Sequence, residues 1–139
     1  MSATYISAAV RRFVAERANY RCEYCLLPAG VAFFSHEVDH VIPEKHGGAT
    51  DANNLAFSCW RCNRRKGADL GSFDPQTGTF SFIFNPRIQS WSEHFIFEKI
   101  TLVGLTIEGR TTIALLQLNT DERLVERQRL LKLDCEKEN

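Results

Sequence analysis

Two Cys-x-x-Cys pairs constrain the folding of this chain more than any other feature of its sequence. The first pair is Cys22 and Cys25, and the second is Cys59 and Cys62. Cysteine thiolates are strong ligands for Zn²⁺, and four of them complete a tetrahedral structural site. A gap of two residues lets one tight turn present both sulfurs to the same ion. We therefore expect the four cysteines to bind one structural zinc; the alternative is four reduced cysteines in the core.

Composition indicates a single intracellular domain. The chain has 139 residues, of which 44% are hydrophobic and ten are phenylalanine, enough for one buried core. No run approaches the roughly 20 apolar residues of a membrane span, and residues 1–5 lack a basic region followed by an apolar stretch. We therefore expect a cytoplasmic protein, in which paired cysteines favour a metal over disulfides. The fifth cysteine, Cys135, has no such partner.

Four polar residues accompany the cysteine pairs in a fixed order. Asp39 and His40 end a strand-type apolar run, Asn54 follows a Gly-rich turn, and Asn63 comes directly after the second pair. This order resembles the HNH endonuclease family, whose ββα-metal core cleaves nucleic acid phosphodiesters. The chain resembles the stand-alone bacterial type, in an HNN variant where Asn63 replaces the last histidine. The resemblance to the core covers about residues 22–66.

The resemblance implies a role for each of these residues. Asp39 and Asn63 would bind the catalytic divalent ion, His40 would be the general base, and Asn54 would hold the loop that orients the base. An imidazole titrates near neutral pH and so suits the removal of a proton from water. Carboxylate and amide oxygens are hard ligands, which favour Mg²⁺ or Mn²⁺ over Zn²⁺. The alternatives are an ordinary strand-end histidine at His40 and a cap or turn residue at Asn54.

Cationic residues cluster beside the second cysteine pair, although the net charge of the chain is zero. Arg61, Arg64, Arg65 and Lys66 place four positive charges within six residues. Contact with phosphates needs a local cluster rather than a high overall charge. We expect Arg64, Arg65 and Lys66 to bind nucleic acid. Lys66 also resembles a basic residue of the family and could contact the scissile phosphate. A solvated helix face is the alternative.

Periodicity and turn residues predict a mixture of helices and short strands. The predicted helices cover residues 6–18, 60–66, 107–118 and 121–133. Thr50 or Asp51 is expected to cap a short helical turn that runs through residues 54–57. The predicted strands cover residues 31–34, 38–42, 80–84, 95–97 and 101–103. Thr106 is expected to cap the third helix, which Gly109 weakens.

These patterns together predict an α+β protein with one domain over residues 1–139. Its ββα-metal core would cover about residues 20–70 and carry the structural zinc, after an N-terminal helix. Residues 71–139 would form an elaboration of strands and helices. The expected function is metal-dependent cleavage of DNA, and RNA is a substrate that the sequence does not distinguish from DNA. The alternative is a non-catalytic zinc-stabilised module that binds nucleic acid or protein.

Overall fold

The computed structural model of this protein describes residues 5–138. Residues 1–4, on which most of the expectation about a signal peptide depends, lie outside the described part, as does residue 139. The side chains of residues 135–138, that of Cys135 among them, are also outside it. None of the helices within residues 5–138 is long and apolar enough to cross a membrane.

Short helices alternate with two-stranded antiparallel sheets along the described residues, so the expected α+β class is confirmed. The α-helices are α1 (Ala8–Arg17), α2 (Trp60–Lys66), α3 (Trp91–His94), α4 (Ile107–Leu116) and α5 (Asp121–Glu138). The strands are β1 (Glu37–His40), β2 (Leu55–Ser58), β3 (Gly71–Phe73), β4 (Phe80–Phe82), β5 (Phe95–Glu98) and β6 (Thr101–Gly104). Each odd-numbered strand pairs with the next strand along the chain.

The first sheet and the helix after it form a ββα unit. The register of β1 and β2 pairs Glu37 with Ser58 and His40 with Leu55. Cys59 is the N-cap of α2, and Gly67 ends the helix with a positive φ of 49°, which glycine adopts without steric cost. The helix that the sequence predicts over residues 60–66 is therefore confirmed at both ends.

Two predictions next to this unit are wrong. Residues 31–34 do not form a strand; a 3₁₀ turn covers Ala29–Val31, and residues 32–36 pair with no strand of the described part. The predicted helical turn has one of its two expected caps, Asp51, whose side chain accepts a hydrogen bond from the backbone of Asn53, but it covers only Ala52–Asn54, and residues 55–57, expected to continue it, belong to β2. All four residues of β2 are buried. A short run buried on both faces shows no alternation, so its periodicity does not distinguish strand from helix.

The hairpin lies between two apolar clusters because the side chains of β2 alternate. Leu55 and Phe57 pack with Ile6 and Val14 of the N-terminal segment. Ala56 points the other way and belongs to the cluster that contains the four paired cysteines. Each face of β2 is therefore covered, one by α1 and the other by the cysteine site and the elements around it.

Residues 71–138 supply much of the apolar cover of the cysteine cluster. Leu102 of β6, Leu116 of α4 and Leu118 after it are all buried in that cluster. The Trp91 indole donates from Nε1 to the carbonyl of Tyr24, at 2.9 Å, and so joins α3 to the first cysteine pair. The described C-terminal residues therefore pack directly on the ββα unit.

The cap and the glycine expected in α4 both have a structural reason. The Thr106 side chain accepts a hydrogen bond from the backbone of Gly109 and caps the helix, as predicted. A Cβ at Gly109 would lie 2.2 Å from the carbonyl oxygen of His94. Glycine lowers the helix propensity here, and the close approach of α3 requires it.

The remaining C-terminal predictions hold in position but not in every boundary. The strands expected over 80–84, 95–97 and 101–103 correspond to β4, β5 and β6. Helix α4 ends at Leu116, two residues before its predicted end, and α5 continues beyond residue 133 to Glu138. Two elements, β3 and α3, have no counterpart among the predictions. They contain three and four residues, and such short segments offer too few positions for a period to show.

Candidate functional site

The four paired cysteines converge on one buried site. Their Sγ atoms all lie within 4.8 Å of one another, and Cys25 Sγ is 3.7 Å from Cys59 Sγ. A tetrahedron with Zn–S bonds of about 2.3 Å has edges of about 3.8 Å. The geometry therefore fits a tetrahedral zinc site, and among the described residues no other group of three or more Cys, His, Asp and Glu is close enough to hold an ion.

Backbone hydrogen bonds shape both cysteine turns. The amide of Cys25 donates to Cys22 Sγ, and the amide of Cys62 donates to Cys59 Sγ, each at 3.4 Å. Hydrogen bonds from backbone N–H groups stabilise a negatively charged acceptor more than a neutral one. Glu23, inside the first turn, bonds to Phe57 of β2 through its backbone N–H and also through its carboxylate. The first turn is thereby held against the hairpin.

Electrostatics at the cysteine site also favour a bound cation. Hydrogen bonds from Cys22, Cys25 and Cys62 lower the pKa of Cys59. The hydrogen bond with Cys22 raises the pKa of Cys25, and burial raises that of Cys62, each well above its usual value. Four buried thiols this close cannot all ionise unless a positive charge compensates them. A divalent ion that prefers thiolates supplies that charge, so the donor set matches Zn²⁺.

Arg123 of α5 contributes a positive charge to the same site. Its side chain is buried, and Nη1 lies 3.5 Å from Cys62 Sγ and 3.8 Å from Cys59 Sγ. Its Nη2 donates to the carbonyl of Leu116. Burial by itself would lower the pKa of Arg123, but the nearby thiolates raise it above its usual value. Sequence reasoning missed this residue because nothing in the sequence relates an arginine of the last helix to the cysteine pairs.

His40, the last residue of β1, is held in a polar network. Its Nε2 lies 2.7 Å from Thr50 Oγ1 and 3.4 Å from Glu44 Oε1. The Thr50 hydroxyl donates to the same Glu44 oxygen at 3.1 Å. Because Thr50 donates its hydroxyl proton to Glu44, its oxygen must be the acceptor in the hydrogen bond with His40. The imidazole proton of His40 is therefore on Nε2. In a neutral imidazole Nδ1 then has the free lone pair.

Asn54 joins the two ends of the loop that follows β1. Its Oδ1 accepts from the backbone of Ile42 at 2.9 Å, and its Nδ2 donates to the carbonyls of Ile42 and Ala49, both at 2.8 Å. A Cβ at Gly48 would lie 1.7 Å from the Ile42 oxygen and 2.7 Å from Asn54 Nδ2. Only glycine fits there without a shift of the loop. The loop therefore holds a defined conformation next to His40.

Lys66 does not belong to the exposed cationic cluster that the sequence suggests. Its side chain is only 2% exposed, and Nζ donates to the backbone carbonyl of His40 at 3.0 Å. Burial lowers the pKa of Lys66, while the charges of Asp39 and Asp69 oppose that shift. Lys66 thus joins the end of α2 to the end of β1 on the side of the hairpin where Asp39 lies.

The other predicted site residues lie along α2. Asn63 is three residues before Lys66 and so neighbours it on one face of the helix. Its side-chain amide makes no hydrogen bond with any residue of the described part, whereas its backbone N–H donates to the carbonyl of Cys59. Arg64 and Arg65 are exposed. Asp39 and Asn63, the ligands expected for the catalytic ion, carry a carboxylate and an amide oxygen, which are ligand types that Mg²⁺ prefers.

The segment with this geometry is an HNH domain. Residues 22–69 match the family model of the HNH endonuclease, so this part of the chain belongs to that family and the expected membership is confirmed. Over 112 residues the chain is 32% identical to the Septu protein PtuB of Bacillus thuringiensis. That alignment includes 79% of this chain and 41% of the relative. The chain therefore spans less than half of the relative's length. No solved structure matches the chain.

Protein purified without added metal should contain about one zinc per chain, as measured by elemental analysis. Cys59→Ser should lose the zinc and unfold, because ion binding is part of folding at such sites. Arg123→Ala should keep the four ligands yet bind zinc about 10- to 100-fold more weakly, the usual cost of losing a partner of the ligands. Chelator competition measures this affinity.

The matched control is Arg129→Ala, which removes an exposed arginine from the same helix. It should leave zinc affinity unchanged. Absence of zinc from the folded protein would contradict the metal assignment. Equal affinities for the two arginine variants would contradict the role of Arg123.

Gly48→Ala should destabilise the loop beside His40, because its new Cβ overlaps the Ile42 carbonyl. Overpacking of this kind costs about 1–3 kcal/mol in the free energy of unfolding, which urea denaturation measures. Gly30→Ala is the control, since a Cβ there meets nothing within 4 Å. It should be neutral or slightly stabilising. Equal stability of the two variants would show that the loop is not confined as described.

Proposed function

We propose that this protein is a metal-dependent endonuclease that hydrolyses phosphodiester bonds in DNA. The HNH domain at residues 22–69 supports a nuclease. The proposal depends above all on the state of His40: Nε2 is bonded to Thr50, and Nδ1 has the free lone pair. A general base needs just such a nitrogen, on a ring that neighbouring groups hold in one orientation.

His40 would take the proton from the attacking water at Nδ1. The ring then becomes an imidazolium, and the carboxylate of Glu44, 3.4 Å from Nε2, stabilises that positive charge. Thr50 fixes the tautomer in which Nδ1 can accept the proton. In other hydrolases too, the ring of the base is held in place by a neighbouring group that does not itself take the proton.

Asp39 and Asn63 would hold the catalytic ion. When bound, Mg²⁺ or Mn²⁺ supplies positive charge that stabilises the phosphate and the leaving oxygen. Lys66 acts as a positioning residue in this proposal, because its ammonium holds the His40 carbonyl and lies on the same side of the hairpin as Asp39. Asn54 would keep the loop, and with it Glu44, in place beside the base.

Arg64 and Arg65 would bind the phosphates of DNA. Both are exposed on α2, and neither guanidinium forms a hydrogen bond or an ion pair within the described residues. Arg61, in contrast, forms ion pairs with Glu126 at 3.0 Å and with Glu122 at 3.8 Å. Two cations without a protein partner provide a local positive surface even though the whole chain is neutral.

His40→Ala should abolish nicking of supercoiled plasmid in the presence of Mg²⁺. Loss of a general base costs about 10²- to 10⁴-fold in rate, while zinc content, folding and DNA binding should stay near wild type. Thr50→Val keeps the shape of the side chain, removes the hydroxyl and should cause a smaller loss. His46→Ala, a change to an exposed histidine of the same loop, is the control and should retain activity.

Separate arms with EDTA, Mg²⁺, Mn²⁺ and Zn²⁺ identify the catalytic ion. Asp39→Ala should lose at least as much activity as His40→Ala, and a high Mn²⁺ concentration should restore part of it, since an ion can be forced into a site that lacks one ligand but cannot replace a base. Wild-type cleavage by His40→Ala would refute His40 as the base. If the wild-type protein is also inactive, a non-catalytic zinc module is the better interpretation.

Substitution of Arg64 and Arg65 together by alanine should weaken DNA binding and reduce its salt dependence. The slope of log K against log salt should fall by about 0.9 for each lost phosphate contact. The control pair is Arg11 and Arg12 of α1, whose replacement should leave the slope unchanged. If the slope falls for the Arg11 and Arg12 substitutions but not for those of Arg64 and Arg65, DNA binds at the N-terminal helix instead.

A further inference from the structure

Two exposed aromatic side chains and a half-buried third form a group that the nuclease chemistry does not use. Phe33 is 88% exposed and Phe34 is 52% exposed. The ring centroid of Phe34 lies 4.9 Å from that of Phe33 and 4.9 Å from that of Trp60, in edge-to-face contacts. We call Phe33, Phe34 and Trp60 the aromatic platform. Exposure of apolar rings does not by itself mark a binding surface, so the inference depends on the charges that lie beside them.

The aromatic platform combines residues from two parts of the fold. Phe33 and Phe34 come from the segment before β1. This segment pairs with no described strand. Trp60 is the first residue of α2. Asn63 lies three residues further along the helix, an axial distance of about 4.5 Å. The platform is therefore about one helical turn from a proposed ligand of the catalytic ion.

Positive charge lies beside the aromatic platform. The guanidinium of Arg61 is 5.1 Å from the centroid of the Trp60 ring, and its charge is compensated by Glu122 and Glu126. Arg64 is one turn after Trp60 and on the same side of the helix. A groove of about 540 Å³ on this side of α2 is lined by Trp60, Arg61, Arg64 and Arg65, together with residues of α5 and of the segment before it.

We propose that the aromatic platform binds unpaired bases of single-stranded DNA while Arg64 and Arg65 bind its phosphates. This inference rests on the proposed function, since it names the form of DNA that the nuclease would hold. Proteins that bind single strands combine aromatic rings, on which bases stack, with a cationic groove that follows the backbone. A purely apolar partner would leave the two arginines without counter-charges. A polyanion with exposed bases matches both the rings and the charges.

Duplex DNA does not meet the same requirement. Its bases are stacked on one another, and their faces are not available to side chains unless a base leaves the helix. A single strand on the platform would continue along α2 toward Asn63. The proposed nuclease would therefore act on DNA with an unpaired segment in preference to fully paired DNA.

Binding of fluorescein-labelled oligo(dT) of 20 nucleotides tests the inference, with a 20-base-pair duplex as comparison. Anisotropy is measured without added divalent ion, so that binding is read independently of cleavage. The wild-type protein should bind the single strand more tightly than the duplex. Substitution of Phe33 and Phe34 together by leucine keeps apolar side chains but removes two π faces. It should weaken single-strand binding by about 5-fold to 100-fold or more for each lost stack.

Phe73 and Phe80 provide the matched control. Among the described residues they are the other exposed aromatic pair in edge-to-face contact, 65% and 56% exposed with ring centroids 5.5 Å apart. Their substitution by leucine should leave oligo(dT) affinity unchanged. Zinc content and circular dichroism check that every variant is folded. Tryptophan fluorescence gives an independent measurement: oligo(dT) should quench Trp60, and the quenching should persist in Trp91→Phe and disappear in Trp60→Phe.

Each outcome decides between the alternatives. Failure of the wild-type protein to bind oligo(dT), or equal binding by the Phe33 and Phe34 variant, overturns the inference; in the second case the surface is a general apolar one that suits a protein. If the strand binds through the aromatic platform but the wild-type protein nicks no DNA, the inference stands and the proposed nuclease function falls. If the protein nicks DNA but the Phe33 and Phe34 variant binds oligo(dT) normally, the proposed nuclease function stands and the inference about single strands falls.

Discussion

The rest of this structure depends on the four paired cysteines, whose buried sulfurs can ionise together only where positive charge compensates them. The cysteines come from a turn after α1 and from the first turn of α2. Arg123 brings a guanidinium from α5 to the same sulfurs. Apolar residues from β6 and from α4 and its end surround the cluster. A divalent ion there would join the turn after α1 to the first turn of α2, and binding of such an ion is coupled to folding.

Helix α2 connects this site to the proposed chemistry. Cys59 and Cys62 lie in its first turn, Asn63 follows them, and Lys66 at its end donates to the carbonyl of His40. A helix of seven residues is too short to be stable by itself. The sulfur site at one end and the buried ammonium at the other therefore determine where Asn63 stands relative to β1.

The loop after β1 provides the second constraint on His40. Asn54 bonds to both ends of the loop, and Gly48 permits an approach that any side chain would prevent. The loop then presents Thr50 and Glu44 to Nε2 of the imidazole. A base needs one tautomer and one orientation, and this loop, rather than the strand, specifies them.

The sequence by itself determined the cysteine pairs, the extent of α2 and the family, because spacing along the chain carries these features. It also placed most of the C-terminal strands and the Thr106 cap, where local pattern and capping chemistry decide. Only the tertiary structure revealed Arg123 at the thiolates, the burial of Lys66 and the network of Thr50 around His40, because each depends on contacts between residues distant in sequence. Contacts between distant residues also explain why β2 was missed, since its burial on both faces removes the alternation that marks a strand. They explain residues 31–34 as well, where Val31, Phe33 and Phe34 lie exposed at the surface and do not pair in a sheet.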